Sequence, residues 1–435
     1  MWDRMRLDEY LEFEANERAE RRRLAREKDY GILDHLDSFE RRFDAEVSDD
    51  AVVGSVSPSI FVGRSNYPRV STGLLSPVGR EERAATFETS SAWYDEGVSI
   101  GDVFERRTSL LNANRGVDVN DAGTDAGTGV HDAWDGWLGV QREVAIADRP
   151  VDVEIGLDGA PDLDFEIGVE DVKTPTGPRA SARNAALGEN PHVPRPVKKT
   201  LEDDDWRAEG AMTYLYRRGF DVYEINTILS AGALGRGEQR RLVPTRWSIT
   251  AVDDTVGRFL RGSIRSNSTI DAIEVHRNEY LGNAFWVILV PGNWEYELVE
   301  LKAPGSIWNP DPQAGTYLAA ASEGREGRSG YVEETAGAYY AARLGVLEHL
   351  EDRGRQAKAL VLRHVSDDYW GPVGVWQVRE AVRNAFEGER GTAETFGGAV
   401  RGVAEHLPIS VDRLRRKSTL AAGLQANLGD FVDGG

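Results

Sequence analysis

Pro244-Thr245-Arg246-Trp247-Ser248-Ile249-Thr250, followed closely by Asp253-Asp254, brings an arginine, a tryptophan, hydroxyls and two acids into one short stretch. An arginine pairs with phosphate and a tryptophan stacks on a base. Two neighbouring carboxylates can hold a divalent cation. Together with Arg64, the residues Arg246, Asp253 and Asp254 are the candidates for a catalytic site. Structure is an equal reading of the same residues, with Trp247 in a core and Asp253 as a helix N-cap before Thr255-Val256. The seven histidines (His35, His131, His192, His276, His349, His364 and His406) show no close metal-ligand spacing, so only the fold could assemble a histidine site. Cysteine is absent, which excludes disulfides, thiolate metal sites and cysteine nucleophiles.

Glu300-Leu301-Lys302 closes a strand that also carries Glu297. A carboxylate and a lysine one residue apart on a strand resemble the core of PD-(D/E)xK nucleases, where the acid binds metal and the lysine positions water. Asp271 or Glu274 would have to supply the upstream acid, and a plain charged strand end is the commoner origin of such a triplet. The final residues, Gln425-Ala426-Asn427-Leu428-Gly429-Asp430-Phe431-Val432, resemble the PCNA-interacting peptide. In a 3₁₀ turn residues three apart eclipse, so Leu428 and Phe431 would form one apolar plug while Gln425 bonds the pocket rim. Val432 stands where a second aromatic is usual, which weakens the plug. A terminal helix packed on its own domain is the alternative. Arg413, Arg415, Arg416 and Lys417 just upstream are a dense basic cluster, readable as a DNA or clamp contact or as a solvated linker.

Acids outnumber bases by 73 to 52, giving a formal net charge of -21, and only seven of the bases are lysine. Such a surface suits a molar-salt cytoplasm, where self-repulsion is screened. Phosphate contacts lose affinity steeply with salt. A nucleic-acid partner would then be reached through stacking, hydrogen bonds or recruitment, with Arg64, Arg69, Arg246, Trp247, Arg415, Arg416 and Lys417 as the contact candidates. The start lacks a signal-peptide pattern, Met1 and Met5 both read as initiators, and no apolar run reaches membrane-spanning length, so a cytoplasmic location with no membrane partner is expected.

These residues need elements to hold them. Asp8 to about Phe43 reads as charged helix with a narrow apolar stripe. Ile60-Phe61-Val62 is a strand entering a polar aromatic loop, and Asn120–Asp132 is an acidic glycine-rich insert. Val151–Leu157 alternates as a half-exposed strand, and Lys173–Pro196 is expected to be irregular. Asp203–Leu234 gives two helices around Gly219. Trp247–Val252, Ala272–His276, Ala284–Val290, Trp294–Leu301 and Ala357–His364 read as strands, the third and fourth paired across Pro291-Gly292-Asn293. Tyr331–Arg353 and Val375–Phe386 read as helices.

Several long blocks are similar to the archaeal Nre family, in its haloarchaeal form. They include Pro58-Ser59-Ile60-Phe61-Val62-Gly63-Arg64-Ser65-Asn66-Tyr67-Pro68, Leu229-Ser230-Ala231-Gly232-Ala233-Leu234-Gly235, Val243 to Asp254, Pro304-Gly305-Ser306-Ile307-Trp308 and Gly374-Val375-Trp376-Gln377-Val378-Arg379-Glu380. The resemblance implies a part in DNA-damage repair and a C-terminal PCNA-binding peptide, which falls on Gln425, Leu428, Phe431 and Val432. It also implies, for many members, a four-cysteine zinc finger near the N-terminus, which this cysteine-free chain lacks. The expected architecture is α+β: a mixed core of two intimate subdomains at 46–315 and 316–410, a helical extension at 1–45 and a flexible tail at 411–435. PCNA and DNA are the expected partners, no cofactor is indicated, and a metal-dependent nuclease-type or nucleotide-processing enzyme and a non-catalytic repair adaptor are the alternatives.

Overall fold

The computed structural model describes residues 41, 51–77, 84–122, 136–159, 176–388 and 390–423. The expected N-terminal helical extension apart from Arg41, most of the Asn120–Asp132 insert and the peptide Gln425–Val432 lie outside the described residues. The chain divides into two compact units, the described residues up to Val256 and those from Gly257 onward. Each unit holds a six-stranded mixed sheet with helices, so the protein is α+β.

In the first unit the strands are β1 (Ala51–Val56), β2 (Ile60–Val62), β3 (Arg69–Pro77), β4 (Leu110–Asp118), β5 (Val151–Leu157) and β6 (Arg179–Leu187), in the order β1-β5-β6-β4-β3-β2. Period-two alternation puts Val151, Val153 and Ile155 inward and leaves Asp152 and Glu154 exposed. Each buried aliphatic side chain stabilises the fold by about 1.5–3 kcal/mol. The stretch expected to be irregular contains β6, whose small Ala180 and Ala182 fit the core between β4 and β5. The helices α1 (Ile100–Thr108) and α2 (Gly136–Ala145) accompany this sheet, and α2 buries Trp137 and Val144 in its core.

Helices α3 (Arg195–Glu202), α4 (Ala208–Arg217) and α5 (Val222–Ser230) follow. Gly219 separates α4 from α5 as expected, and Asp221 with Glu224 forms a capping box at the start of α5. The expected strand at Trp247–Val252 is instead part of a 20-residue helix, α6 (Thr245–Ile264). Buried Val252, Val256, Leu260 and Ile264 recur every four residues, and that stripe outweighs the β-branched local sequence.

The second unit contains β7 (Ile273–Tyr280), β8 (Asn283–Val290), β9 (Glu295–Lys302), β10 (Tyr317–Glu323), β11 (Lys358–Val365) and β12 (Gly391–Ala393), in the order β10-β9-β11-β8-β7-β12. The strands β8 and β9 exist where expected but do not pair. The apolar strand β11 lies between them, antiparallel to β8 and parallel to β9. The parallel pair is joined through β10 and helix α7 (Ala336–Asp352), the long crossover such a pair requires. Helix α7, expected over Tyr331–Arg353, is buried almost all round, Arg343 included. It packs with α8 (Trp376–Ala385).

Trp286, Ile288, Val299, Leu301, Leu360 and Leu362 pack with α9 (Phe396–Ala404), α10 (Val411–Lys417) and α11 (Thr419–Ala422). The segment from Val411 to Ala422 is therefore not a loose tail: Leu414 and Ala421 are fully buried. Glu297 fixes its end, accepting hydrogen bonds from Ser418 Oγ at 2.6 Å, Thr419 N at 2.7 Å and Leu420 N at 2.8 Å.

Candidate nucleic-acid interface

The turn after α5 sets the position of the site in the first unit. Gly232 has φ +70°, and a Cβ there would come within 2.7 Å of the Arg241 backbone, so only glycine allows this approach. The contact brings Val243 against Ser230, whose Oγ donates to Val243 O at 2.8 Å and lies 3.2 Å from Thr245 Oγ1. Thr245 Oγ1 in turn accepts a bond from Val62 N at 2.9 Å, tying the start of α6 to the end of β2. One turn on, Ser248 Oγ donates to Asn226 Oδ1 at 2.6 Å. The loop after β2 then places Tyr67 beside Trp247, with ring centroids 5.2 Å apart and planes tilted by 52°.

Both rings stay accessible, Tyr67 at 48% and Trp247 at 44%. Arg64, Arg69 and Arg246, each within three residues of one of the rings, are exposed. The fold thus joins the segment that carries Arg64 and Arg69 to the one that carries Arg246 through the Tyr67–Trp247 pair. Tyr67 was not singled out in the sequence, although an aromatic inside a polar loop was its available sign. Trp247 is not core. Asp253 and Asp254 sit elsewhere: Asp253 is buried inside α6 rather than capping it, about 10.5 Å beyond Arg246 along the helix axis. Arg415, Arg416 and Lys417 lie on α10 in the second unit.

Another group in the first unit titrates unusually. Glu88 is pushed up to about 7, chiefly by burial, against the hydrogen bond from Ser57 Oγ at 2.9 Å and with Glu224 adding to the rise.

In the second unit the fold does assemble a histidine cluster. One ligand atom each from Glu274, His276 and His349 lies within 4.8 Å of the others. Guanidinium groups already claim the carboxylate, however. Arg353 Nη1 and Nη2 donate to Glu274 Oε2 and Oε1 at 2.7 and 3.0 Å, and Arg390 Nη1 donates to Oε1 at 3.1 Å. Arg353 Nη1 also lies 3.3 Å from His349 Nε2, where a bridging metal would sit. His349 stacks on Phe386 at 3.8 Å, and burial, with His276 and Arg353 beside it, lowers it to about 4. Burial likewise pushes His276 down. The cluster is an arginine-filled polar network.

Glu300 is clamped in the same way. Its register partner Arg363 donates to Oε1 at 2.6 Å, and Lys302 Nζ lies 3.4 Å from Oε2. Asp271 is exposed and lies 4.0 Å from Arg355. Glu274 is three strands away on β7, about 14 Å across the sheet. Neither proposed upstream acid meets Glu300, so the nuclease-type arrangement is not assembled there.

The chain matches the archaeal Nre N-terminal profile over residues 24–309 and the archaeal Nre C-terminal profile over 323–431. It is 72% identical over 428 residues, 98% of this chain and 100% of the other, to a Haloferax volcanii protein named DNA repair protein NreA. Two Archaeoglobus fulgidus proteins, named DNA repair proteins NreA and NreB, are each 35% identical to it, covering 84% and 88% of this chain and 88% and 92% of their own lengths. The chain belongs to the archaeal Nre family. No solved structure is significantly similar to it. The four-cysteine zinc finger that the resemblance implied for many members cannot form in this chain, which has no cysteine. Among the described residues no helix is long and apolar enough to cross a membrane.

Proposed function

We propose that this protein is a cytoplasmic DNA-repair factor held at DNA by the sliding clamp PCNA. The observation that carries the reading is its 72% identity, over the full length of the relative, to a protein named for DNA repair. The clamp contact is assigned to Gln425, Leu428, Phe431 and Val432, a peptide that begins two residues beyond the capped end of the core at Gly423. The Tyr67–Trp247 pair with Arg64, Arg69 and Arg246 is the nucleic-acid contact. Stacking supplies affinity that salt does not screen, while the tether raises the local concentration of protein at DNA. The arginine clamps on Glu274 and Glu300 favour an adaptor that binds DNA without cutting it at those carboxylates. Any reaction would be assigned to Arg64, Arg246, Asp253 and Asp254.

The test is genetic. Cells in which Leu428 and Phe431 are both replaced by alanine should be as sensitive to DNA damage as cells lacking the gene, with the protein at normal abundance. Survival equal to the parent would refute the clamp-recruitment reading.

A further inference from the structure

The second unit carries a groove of about 560 Å³ between the turn that leads into β10 and helix α10. Its walls include Asn309, Thr316 and Tyr317 on one side and Arg413, Arg416 and Lys417 on the other. Three cations and no carboxylate line it, on a chain whose formal net charge is -21. Such a local reversal of sign marks a place for an anion.

The walls are held in place. Arg413 Nη2 donates to Thr316 O across the groove. Lys417 Nζ reaches Glu334 at 2.9 Å. Arg416 is exposed and forms no ion pair or side-chain hydrogen bond among the described residues. Tyr317 is 50% exposed, and Lys302 Nζ sits 5.5 Å from its ring centroid. The groove therefore combines a cationic wall with an accessible aromatic ring. Its volume is that of a site for small ligands, enough for a short piece of a single strand and too little for a duplex.

We propose that this groove binds a single-stranded segment of DNA, with phosphates against Arg413, Arg416 and Lys417 and an unpaired base on Tyr317. The assignment rests on the repair reading and extends it.

The experiment is fluorescence anisotropy of a labelled oligothymidylate, and of the same strand in duplex form, titrated with the full-length chain over a KCl series. It is run in the Trp247→Ala background so that the ring pair of the first unit does not contribute. The single strand should bind more tightly than the duplex. Arg416→Ala should weaken binding and reduce the slope of log K against log[KCl] by about 0.7, the share of one phosphate contact on a single strand. Tyr317→Ala should weaken binding roughly 5- to 100-fold with the slope unchanged. The proposal is overturned if both variants bind like their parent, if the duplex binds better, or if Arg416→Ala weakens capture by the clamp and not by DNA. Deleting residues 424–435 should abolish clamp capture and leave oligonucleotide binding intact, so failure of the groove and failure of the tether give different results.

Discussion

Trp247 lies against Tyr67, ring centroids 5.2 Å apart, although 180 residues separate them in the chain. A hydrogen-bonded relay from Val62 through Thr245 to Ser230 ties the start of the Trp247 helix to the strand end from which the Tyr67 loop departs. Both rings remain about half exposed, which leaves a face on which a base can stack.

Trp247→Ala should therefore weaken DNA binding by about 1–3 kcal/mol, the worth of one stacked base. Because the ring is 44% exposed, the thermal midpoint should change little. Anisotropy titrations alongside melting curves check both. Unchanged affinity would remove the pair from the interface.

Glu88 gives a pH prediction with a definite sign. Its carboxyl rises from 4.5 to about 7 on folding, so the folded state prefers the protonated form. Its stabilising contribution is full below about pH 4.5 and is lost as pH rises through 7. Glu88→Gln imitates the neutral acid, can still accept from Ser57, and should flatten that part of the profile, a difference of about 1–2 kcal/mol. Denaturation midpoints at pH 5 and pH 8 would show it.

His349 acts in the opposite sense. Burial holds it at about 4, below its usual 6.5, with His276, Arg353, Glu274 and Phe386 around it. Its neutral form stabilises the fold above pH 6.5, and this is lost as pH falls towards 4. His349→Gln should be less stable at pH 7 and lose less on acidification. A variant whose acid lability matched the parent would assign that lability to other groups.

Glu297→Ala should leave Ser418 Oγ and two backbone N–H groups without their acceptor, costing about 2–4 kcal/mol. The loosening should be local, seen as faster tryptic cleavage at Arg415–Lys417 before global unfolding. Cleavage at the parental rate would show that the apolar contacts of Leu414 and Ala421 suffice to hold the segment.

The strands were the most readable part of the sequence wherever alternation was clean, as at Val151–Leu157. Their order was not, because β11 enters between β8 and β9 from far along the chain. Trp247–Val252 misled because Ile249, Thr250 and Val252 favour strands locally, while the four-residue spacing that makes α6 helical becomes clear only through Ile264. Arg64, Arg69, Arg246 and Trp247 could each be picked out by residue type. The contact of Trp247 with Tyr67, which brings the Arg246 segment to the Arg64–Arg69 loop, is long-range, and no local pattern encodes it. Glu274 and Glu300 looked available as metal ligands for the same reason, since Arg353 and Arg363, which occupy them, arrive from distant elements.

The tether is tested by the affinity of purified PCNA for the immobilised full-length chain and for its Leu428→Ala, Phe431→Ala double variant. The intact chain should bind saturably and the variant should lose at least about 100-fold in affinity, as expected when two anchor side chains of a short peptide are removed. Equal binding by the two proteins, or none by either, would contradict it.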